Sequence, residues 1–287
     1  MPNAKIGVIG GTGLYEIEGL TDIEEVKPKT PFGEPSDSII VGTLDDTEIA
    51  FLPRHGRGHF VNPTEIPARA NIYALKTLGV EWIISVSAVG SLKESIHPLD
   101  LVVPDQIIDR TKSRVNSFFT KGIVAHVGFA RPFCPCLSEI LYKAALEENA
   151  KVHPEGTYII MEGPLFSTKA ESNLYRSWGA SIIGMTALPE AKLAREAEIC
   201  YATLGCVTDY DVWHETEEEV TIEIAVANLK RTADTAKRII RRAARCIPGK
   251  RDCQCASALQ NAILTDPKLI PPKTKKDLAL LIGKYIH

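Results

Sequence analysis

Ile199-Cys200-Tyr201-Ala202-Thr203-Leu204-Gly205-Cys206-Val207 is an uncharged, largely apolar run that ends in Thr208-Asp209-Tyr210-Asp211. A short apolar run bounded by polar residues reads as a buried strand. A buried strand that ends in two acids delivers them to the mouth of a cleft. There the carboxylates accept hydrogen bonds from whatever donors a ligand brings. A purine with a 6-amino group offers two: its exocyclic NH2 and, once protonated, N7.

Outward from that strand, residues 5–11 (Lys5-Ile6-Gly7-Val8-Ile9-Gly10-Gly11) read as a second buried strand, closed by glycines. Residues 36–42 and 48–53 read as strands around a turn at Asp45-Asp46. Residues 81–88, 101–109, 156–161 and 181–185 read as further strands. Apolar spacing predicts helices over 65–78, with Pro67 in its first turn and Ala68, Ile72 and Leu75 on one face, and over 137–150 and 170–178. Pro189-Glu190 opens another, running to about Ala197, since proline is tolerated in a first turn. Residues 221–246 form one long helix with Ile222, Ala225, Val226 and Leu229 at three- and four-residue spacings. Ile247-Pro248-Gly249 ends it, and helices are expected over 256–264 and 273–286. This alternation predicts an α/β fold, with a largely parallel or mixed central sheet flanked by helices. No shift in composition marks a boundary. The chain therefore reads as a single domain over 1–287, with residues about 247–287 as a C-terminal helical extension.

With 287 residues, 45% of them hydrophobic, the chain can fill one large core. A net charge of -3 without a basic run argues against a nucleic-acid surface. No stretch approaches the roughly 20 apolar residues of a membrane span. Met1-Pro2-Asn3-Ala4-Lys5 runs straight into a strand with no secretory pattern, so a cytoplasmic protein is expected. The seven cysteines are an odd number with no C-x-x-C pair, though Cys134-Pro135-Cys136 and Cys253-Gln254-Cys255 are C-x-C. Reduced thiols, disulfides and a metal site are all open, the last with the weakest spacing.

Several strand ends carry small, hydroxylated or basic residues. Gly10-Gly11-Thr12-Gly13 lets the backbone approach an anion and adds a hydroxyl. It is not a dinucleotide fingerprint, because Glu16 stands where the last glycine would be, and it lacks the Gly-Lys-Ser/Thr of a P-loop. Pro53-Arg54-His55-Gly56-Arg57-Gly58-His59 packs two arginines and two histidines behind a strand, and arginine suits a two-point grip on phosphate. Ser85-Val86-Ser87-Ala88-Val89-Gly90-Ser91-Leu92 and Gly184-Met185-Thr186 repeat the pattern. In open α/β sheets ligands bind at the carboxyl ends of strands, so these ends predict one anion site.

Gly10-Gly11-Thr12-Gly13, Arg54-His55-Gly56, Ser87-Ala88-Val89-Gly90-Ser91-Leu92, Met161-Glu162-Gly163-Pro164 and Met185-Thr186-Ala187-Leu188-Pro189-Glu190 are ordered and spaced as in the trimeric purine nucleoside phosphorylase family. The chain resembles that family over roughly residues 4 to 245. Within it, Asp105-Gln106-Ile107-Ile108-Asp109-Arg110-Thr111, Arg131-Pro132-Phe133-Cys134-Pro135, Glu162-Gly163-Pro164-Leu165-Phe166-Ser167, Ala170-Glu171-Ser172 and Thr208-Asp209-Tyr210-Asp211 resemble the branch acting on 5'-deoxy-5'-methylthioadenosine.

The resemblance implies that phosphate is held by Thr12, Arg54, His55, Ser87, Ala88 through its backbone N–H, and Thr186. Met185 would pack against the ribose and Phe166 against the base. Asp209 and Asp211 would take adenine and do the acid work; the 6-oxopurine branch has Asn at the position of Asp209, which can donate to O6. Mutual repulsion and burial should raise the pKa of one carboxylate, which suits a general acid. Ile222, Ala225 and Leu229 would wall the 5' group where nucleoside-specific relatives have a histidine; burying a methylthio group there is worth on the order of 1–2 kcal/mol. His126 would come from a neighbouring subunit of a homotrimer, or of a homohexamer built from two trimers. Glu190 belongs to the Pro-Glu signature without an assigned contact to adenine. The resemblance further implies bridges between Cys253 and Cys255, and from Cys134 or Cys136 to Cys200. It implies no metal and no organic cofactor, inorganic phosphate being a co-substrate. The function expected is phosphorolysis of the methylthio nucleoside, the alternative being a phosphorylase of methylthioinosine or an ordinary purine nucleoside. A non-catalytic nucleoside sensor would not need the phosphate ligands, and a nicotinamide enzyme would need the missing glycine spacing.

Overall fold

Strand β1 (Ile6–Gly10) is buried at every residue. It lies parallel to both its neighbours, the strands Thr47–Pro53 and Trp82–Ser91. A computed structural model gives the structure, and residues 2–11, 19–215 and 221–286 are described. Thr12 lies outside them.

The sheet has eleven strands among the described residues. After β1 come β2 (Thr21–Val26), β3 (Ile39–Leu44), β4 (Thr47–Pro53) and β5 (Trp82–Ser91). Then follow β6 (Leu101–Val102), β7 (Gln106–Arg110), β8 (Val152–His153), β9 (Thr157–Met161), β10 (Ile182–Gly184) and β11 (Cys200–Asp209). The main path runs β2-β3-β4-β1-β5-β10-β9-β7, and the sheet branches where β11 also pairs with β5. Parallel and antiparallel pairs coexist, so the sheet is mixed, as expected.

The helices are α1 (Ala68–Thr77), α2 (Pro135–Glu147), α3 (Lys169–Ser177), α4 (Ala187–Glu196), α5 (Ile222–Cys246), α6 (Pro272–Asp277) and α7 (Ala279–Ile282). One apolar cluster joins Ile72 and Leu75 of α1 and Ala191 and Leu193 of α4 to Ile9, Ile83 and Tyr201 of the sheet. A second joins Leu137 and Leu141 of α2 and Ile239 and Ile240 of α5 to Val8, Ile84 and Leu204. Along β1, β5 and β11 consecutive residues fall in opposite clusters, which is the two-residue period of a strand covered on both faces.

Most expected elements are present, and each departure has a local cause. The turn at Asp45-Asp46 has positive φ at both residues (48° and 65°), as a two-residue hairpin with right-handed strand twist requires. The stretch 101–109 is two strands instead of one. Pro104, which cannot donate to a ladder, separates β6 on β11 and β8 from β7 on β9. The helix expected from residue 65 starts at Ala68, because Asn62 Oδ1 holds the backbone N–H groups of Thr64 and Glu65 in a turn and Ile66 precedes a proline. In α4 Leu188 is non-helical, so regular helix starts with Pro189 in its first turn.

Only a 3-10 turn, Gln254–Ser257, stands where a helix was expected over 256–264. Ile263 bridges to Ala125, and Leu264 N–H donates to Val124 O, so tertiary pairing overrides propensity. The helix expected over 273–286 breaks at Leu278 into α6 and α7, which lets Leu278, Leu281 and Ile282 all reach the first cluster. β2 escaped the sequence reading because its Thr-Asp-Ile-Glu-Glu-Val is an exposed, charged edge strand. The implied bridges are not shown: all seven cysteines are unbridged in this structure, and the sulfurs of Cys134, Cys200, Cys253 and Cys255 gather as a foursome. Among the described residues no helix is long and apolar enough to cross a membrane.

Helix α3 is held by a capping box in which Thr168 accepts from Glu171 N and the Glu171 carboxylate accepts from Thr168 N. Thr168→Ala should cost about 1 kcal/mol of stability, read as a lower urea midpoint with an unchanged denaturant slope.

Candidate active site

The carboxyl ends of β1, β4, β5, β9, β10 and β11 converge on one cavity of about 210 Å3, walled on its far side by α5. Its lining includes Arg54, His55, Ser87, Ala88, Phe166, Met185, Thr186, Asp209, Asp211, Ile222, Ala225 and Leu229. Every site residue singled out in the sequence thus meets here except two. Thr12 is outside the described residues, although its neighbour Gly11 lines the cavity. His126 is exposed and absent from this lining, and its backbone N–H donates to Ala262 O.

The polar floor comes from β5. Its pattern is buried throughout except at Ala88, where the backbone surfaces into the cavity. Ser87 Oγ and Thr186 Oγ1 are 2.7 Å apart, two hydroxyls from different strand ends focused on one point. His55 Nδ1 lies 2.8 Å from Val61 O, so Nδ1 carries the proton and Nε2 is left as acceptor. Burial, helped by the Arg54 charge, pushes the His55 pKa down to about 4. At neutral pH it is an uncharged ring that can accept a hydrogen bond from a phosphate hydroxyl.

Arg54 is only 1% exposed and is largely spent on the protein itself. Its Nε donates to Glu190 Oε1 at 2.5 Å and its Nη2 to Glu190 Oε2 and Ser85 Oγ, at 3.2 and 2.7 Å. Nη1 donates to Val86 O at 3.1 Å. Burial alone would lower the Arg54 pKa, but the Glu190 carboxylate outweighs it and the net shift is upward. The two-point grip on phosphate expected of Arg54 is thus made to Glu190, leaving one Nη1–H for an anion. This also gives Glu190 a role: it orients Arg54, while Ser85 Oγ and Tyr201 Oη donate to its second oxygen.

The acidic pair sits at a register shift in β11, between Val207 and Asp209, where the strand gains a residue against β5. Bulges of this kind re-aim side chains beside active sites. Thr208 Oγ1 donates to Asp209 Oδ2 at 2.6 Å, and Asp211 N donates to Oδ1 at 2.8 Å. Burial raises the Asp209 pKa to about 6 despite these bonds. Asp211 is also raised, chiefly by burial, against the pull of the Ser172 and Ser167 hydroxyls. Both carboxyls shift, and burial is the leading cause, with repulsion from Asp211 the smallest contribution at Asp209. Asp211 Oδ2 is buried and has no hydrogen-bond partner among the described residues. A buried acceptor without a partner costs about 1–3 kcal/mol, which a ligand N–H would recover.

The apolar wall is the first two turns of α5. Thr221 caps it by accepting from Ile224 N, and Asn228 Nδ2 donates to Thr208 O at 2.7 Å, tying the wall to the acidic strand end. Phe166 and Ile222 are 42% and 61% exposed, so the mouth of the cavity is apolar and open in the single chain.

Four residues that position the site were not singled out in the sequence. Gly90 faces Asp209, and a Cβ there would stand 2.8 Å from Asp209 Oδ1. Arg114 donates to Met185 O and Leu188 O, at 2.5 and 2.6 Å, and to Glu162 O at 2.5 Å, fixing the segment that carries Met185 and Thr186. Ser167 and Ser172 stand by Asp211. Gly90 and Ser167 lay inside quoted motifs; Arg114 had no spacing signal, since its partners are backbone carbonyls distant in sequence.

A family model described as the phosphorylase superfamily matches residues 5–245. The S-methyl-5'-thioadenosine phosphorylase of Geobacter sulfurreducens is 58% identical over 98% of this chain and 99% of its own. That of Thermosynechococcus vestitus is 55% identical over 99% of each. Among solved structures, a methylthioadenosine phosphorylase from an antarctic soil metagenomic library superposes with a TM-score of 0.93 at 50% identity, covering 98% of this chain and 99% of that one. The Schistosoma mansoni methylthioadenosine phosphorylase in complex with adenine gives 0.81 at 32% identity, with 98% of both chains covered.

Removing Glu190 would strand a buried guanidinium. Glu190→Ala should lower stability by about 3–5 kcal/mol, measured by chemical denaturation. A loss below about 1 kcal/mol would show that the pair does not hold the floor together.

Proposed function

The chain belongs to the phosphorylase superfamily, and from that premise we propose that it catalyses the reversible phosphorolysis of 5'-deoxy-5'-methylthioadenosine to adenine and 5-methylthioribose 1-phosphate. The observation that carries the substrate assignment is the carboxyl pair Asp209 and Asp211 facing an apolar α5 wall across one cavity.

Phosphate sits on the floor. The Ser87 and Thr186 hydroxyls and the Ala88 backbone N–H donate to its oxygens, Arg54 Nη1 adds a charged donor, and His55 Nε2 accepts from a phosphate hydroxyl. Thr12 would complete this set from the end of β1. Adenine lies between Phe166 and the acidic strand end, and Met185 packs beneath the ribose. Asp211 Oδ2 accepts from the 6-amino group. With a pKa of about 6, Asp209 is protonated in roughly a tenth of molecules at neutrality. That fraction can deliver a proton to N7 as the glycosidic bond loosens, and adenine departs neutral. The phosphate anion stabilises the positive charge that develops on the sugar and then bonds to C1'. No metal or organic cofactor takes part in these steps.

The methylthio group is turned toward Ile222, Ala225 and Leu229, whose side chains offer a 5'-hydroxyl no hydrogen bond. A 6-oxopurine is disfavoured because its O6 presents an acceptor to the carboxylates where adenine's 6-amino group presents a donor. The proposal includes a homotrimer, or two trimers joined as a hexamer. The exposed apolar mouth (Phe166, Ile222) and the exposed His126 fit a cavity closed by a neighbouring subunit. It also includes a cytoplasmic location, where cysteines without disulfides are the rule.

Adenine release from the methylthio nucleoside should require phosphate; release without phosphate would make the chain a hydrolase and remove the role given to Ser87 and Thr186. Asp209→Asn should cut kcat/KM for adenine nucleosides by about 100-fold or more and for inosine-type nucleosides far less. In the unaltered enzyme kcat/KM should fall as pH rises through about 6, because protonated Asp209 is the active form. Phosphate titrates nearby, so the deciding comparison is the variant, whose profile should lose that limb. Gly90→Ala, which pushes Asp209 aside, should lower kcat about 10-fold or more with little change in the phosphate KM.

A further inference from the structure

Four cysteine sulfurs outside the cavity, those of Cys134, Cys200, Cys253 and Cys255, all lie within 4.8 Å of one another. Cys253 Sγ is 3.8 Å from Cys134 Sγ and 3.2 Å from Cys200 Sγ. Cys134, Cys200 and Cys255 are buried, and Cys253 is partly exposed. We propose that these four cysteines bind one zinc ion in a closed tetrathiolate site that fastens the C-terminal extension to the core.

Size is the first argument. Zn–S bonds of about 2.3 Å in a tetrahedron place the sulfurs about 3.8 Å apart. The cluster already has this scale, and a metal at its centre needs shifts of only a few tenths of an ångström to about 1 Å. Cys253 touches two partners at once, so the sulfurs form a cluster and not two separate couples.

Charge is the second. Four thiolates around a divalent ion leave two negative charges, and the surroundings are arranged to meet them. Cys134 is the N-cap of the thirteen-residue helix α2, where the helix dipole presents its positive end. Arg195 lies close enough to Cys255 to act on it electrostatically.

Chain connectivity is the third. Cys134 starts α2, Cys200 starts β11, and Cys253 and Cys255 flank one residue at the 3-10 turn of the extension. The ligands thus come from three separate segments. The sequence held no zinc spacing because only the C-x-C pair is local. All four positions are filled by protein, which makes the site structural. None of the four residues lines the catalytic cavity.

The test is metal content and thiol state of the full-length, untagged protein purified without chelator. Plasma mass spectrometry should find about one zinc per chain. Cys136→Ser should retain it, and Cys253→Ser and Cys255→Ser should lose it. Cobalt replacing the zinc should show the visible bands of tetrahedral cobalt and sulfur-to-metal charge transfer. Stripping the metal from the unaltered chain should lower Tm by at least about 5 °C, reversed by added zinc, which serves even where a cysteine variant fails to fold. The proposal is overturned if zinc is absent and denatured protein alkylates at all seven cysteines. It is overturned equally if intact mass shows disulfides among the four, or if zinc survives in Cys253→Ser and Cys255→Ser. These readouts involve no turnover, so their failure would leave the phosphorylase assignment standing.

Discussion

A buried ion pair organises this molecule. Arg54 and Glu190 are each 1% exposed, and each would be costly to bury alone. Together they draw in Ser85 and Val86 from β5 and Tyr201 from β11, so four elements meet at one charged centre. Glu190 can reach it only because α4 starts beside Thr186, and Arg54 only because β4 ends there. The convergence of strand ends that makes the cavity is therefore the geometry that satisfies this pair. A site for an anion is built on a neutral pair with one N–H to spare, which keeps the floor polar without making it strongly cationic.

The cavity divides its work by element. Strand ends supply everything polar, held rigidly by ladders on both sides: hydroxyls and backbone from β5 and the β10 end, and carboxyls from β11. Helix α5 supplies one apolar wall, and Phe166 and Met185 add apolar surface beside the strand ends. Burial raises both carboxyls, so the enclosure of the strand end itself tunes the acids that line the cavity.

Much of this was legible in the sequence for physical reasons. Buried strands such as β1 and β11 announce themselves by uncharged runs, and α5 by its three- and four-residue apolar spacing. The cavity residues sat at strand ends, where small and hydroxylated side chains stand out. Features set by tertiary pairing were less visible. Arg114 grips carbonyls, which any sequence offers. The fork of Arg54 suits phosphate and carboxylate equally, so its pairing with Glu190 could not be told from an anion contact. The segment after Cys255 has helical composition but gives its backbone to Val124 and Ala125. The four cysteines meet only after folding brings together two helix and strand starts and a C-terminal turn.

Helix α5 is one uninterrupted rod of 25 residues, with its buried residues beginning at Thr232 and its cavity wall ending at Leu229. Mechanically it is a lever with its fulcrum in the core. Ile222 and Ile239 are separated by about 25 Å at 1.5 Å per residue, so a tilt of about 5° near Ile239 carries the wall by roughly 2 Å. The Asn228 tether to Thr208 O and the packing of Leu229 on the core resist within the outer arm. Changes in packing at Ile239 or Ile240, far from any ligand, thus widen or narrow the space for the sugar's substituent. In this architecture the tolerance for larger or smaller 5' groups can drift through the core, with every residue that touches the substrate unchanged.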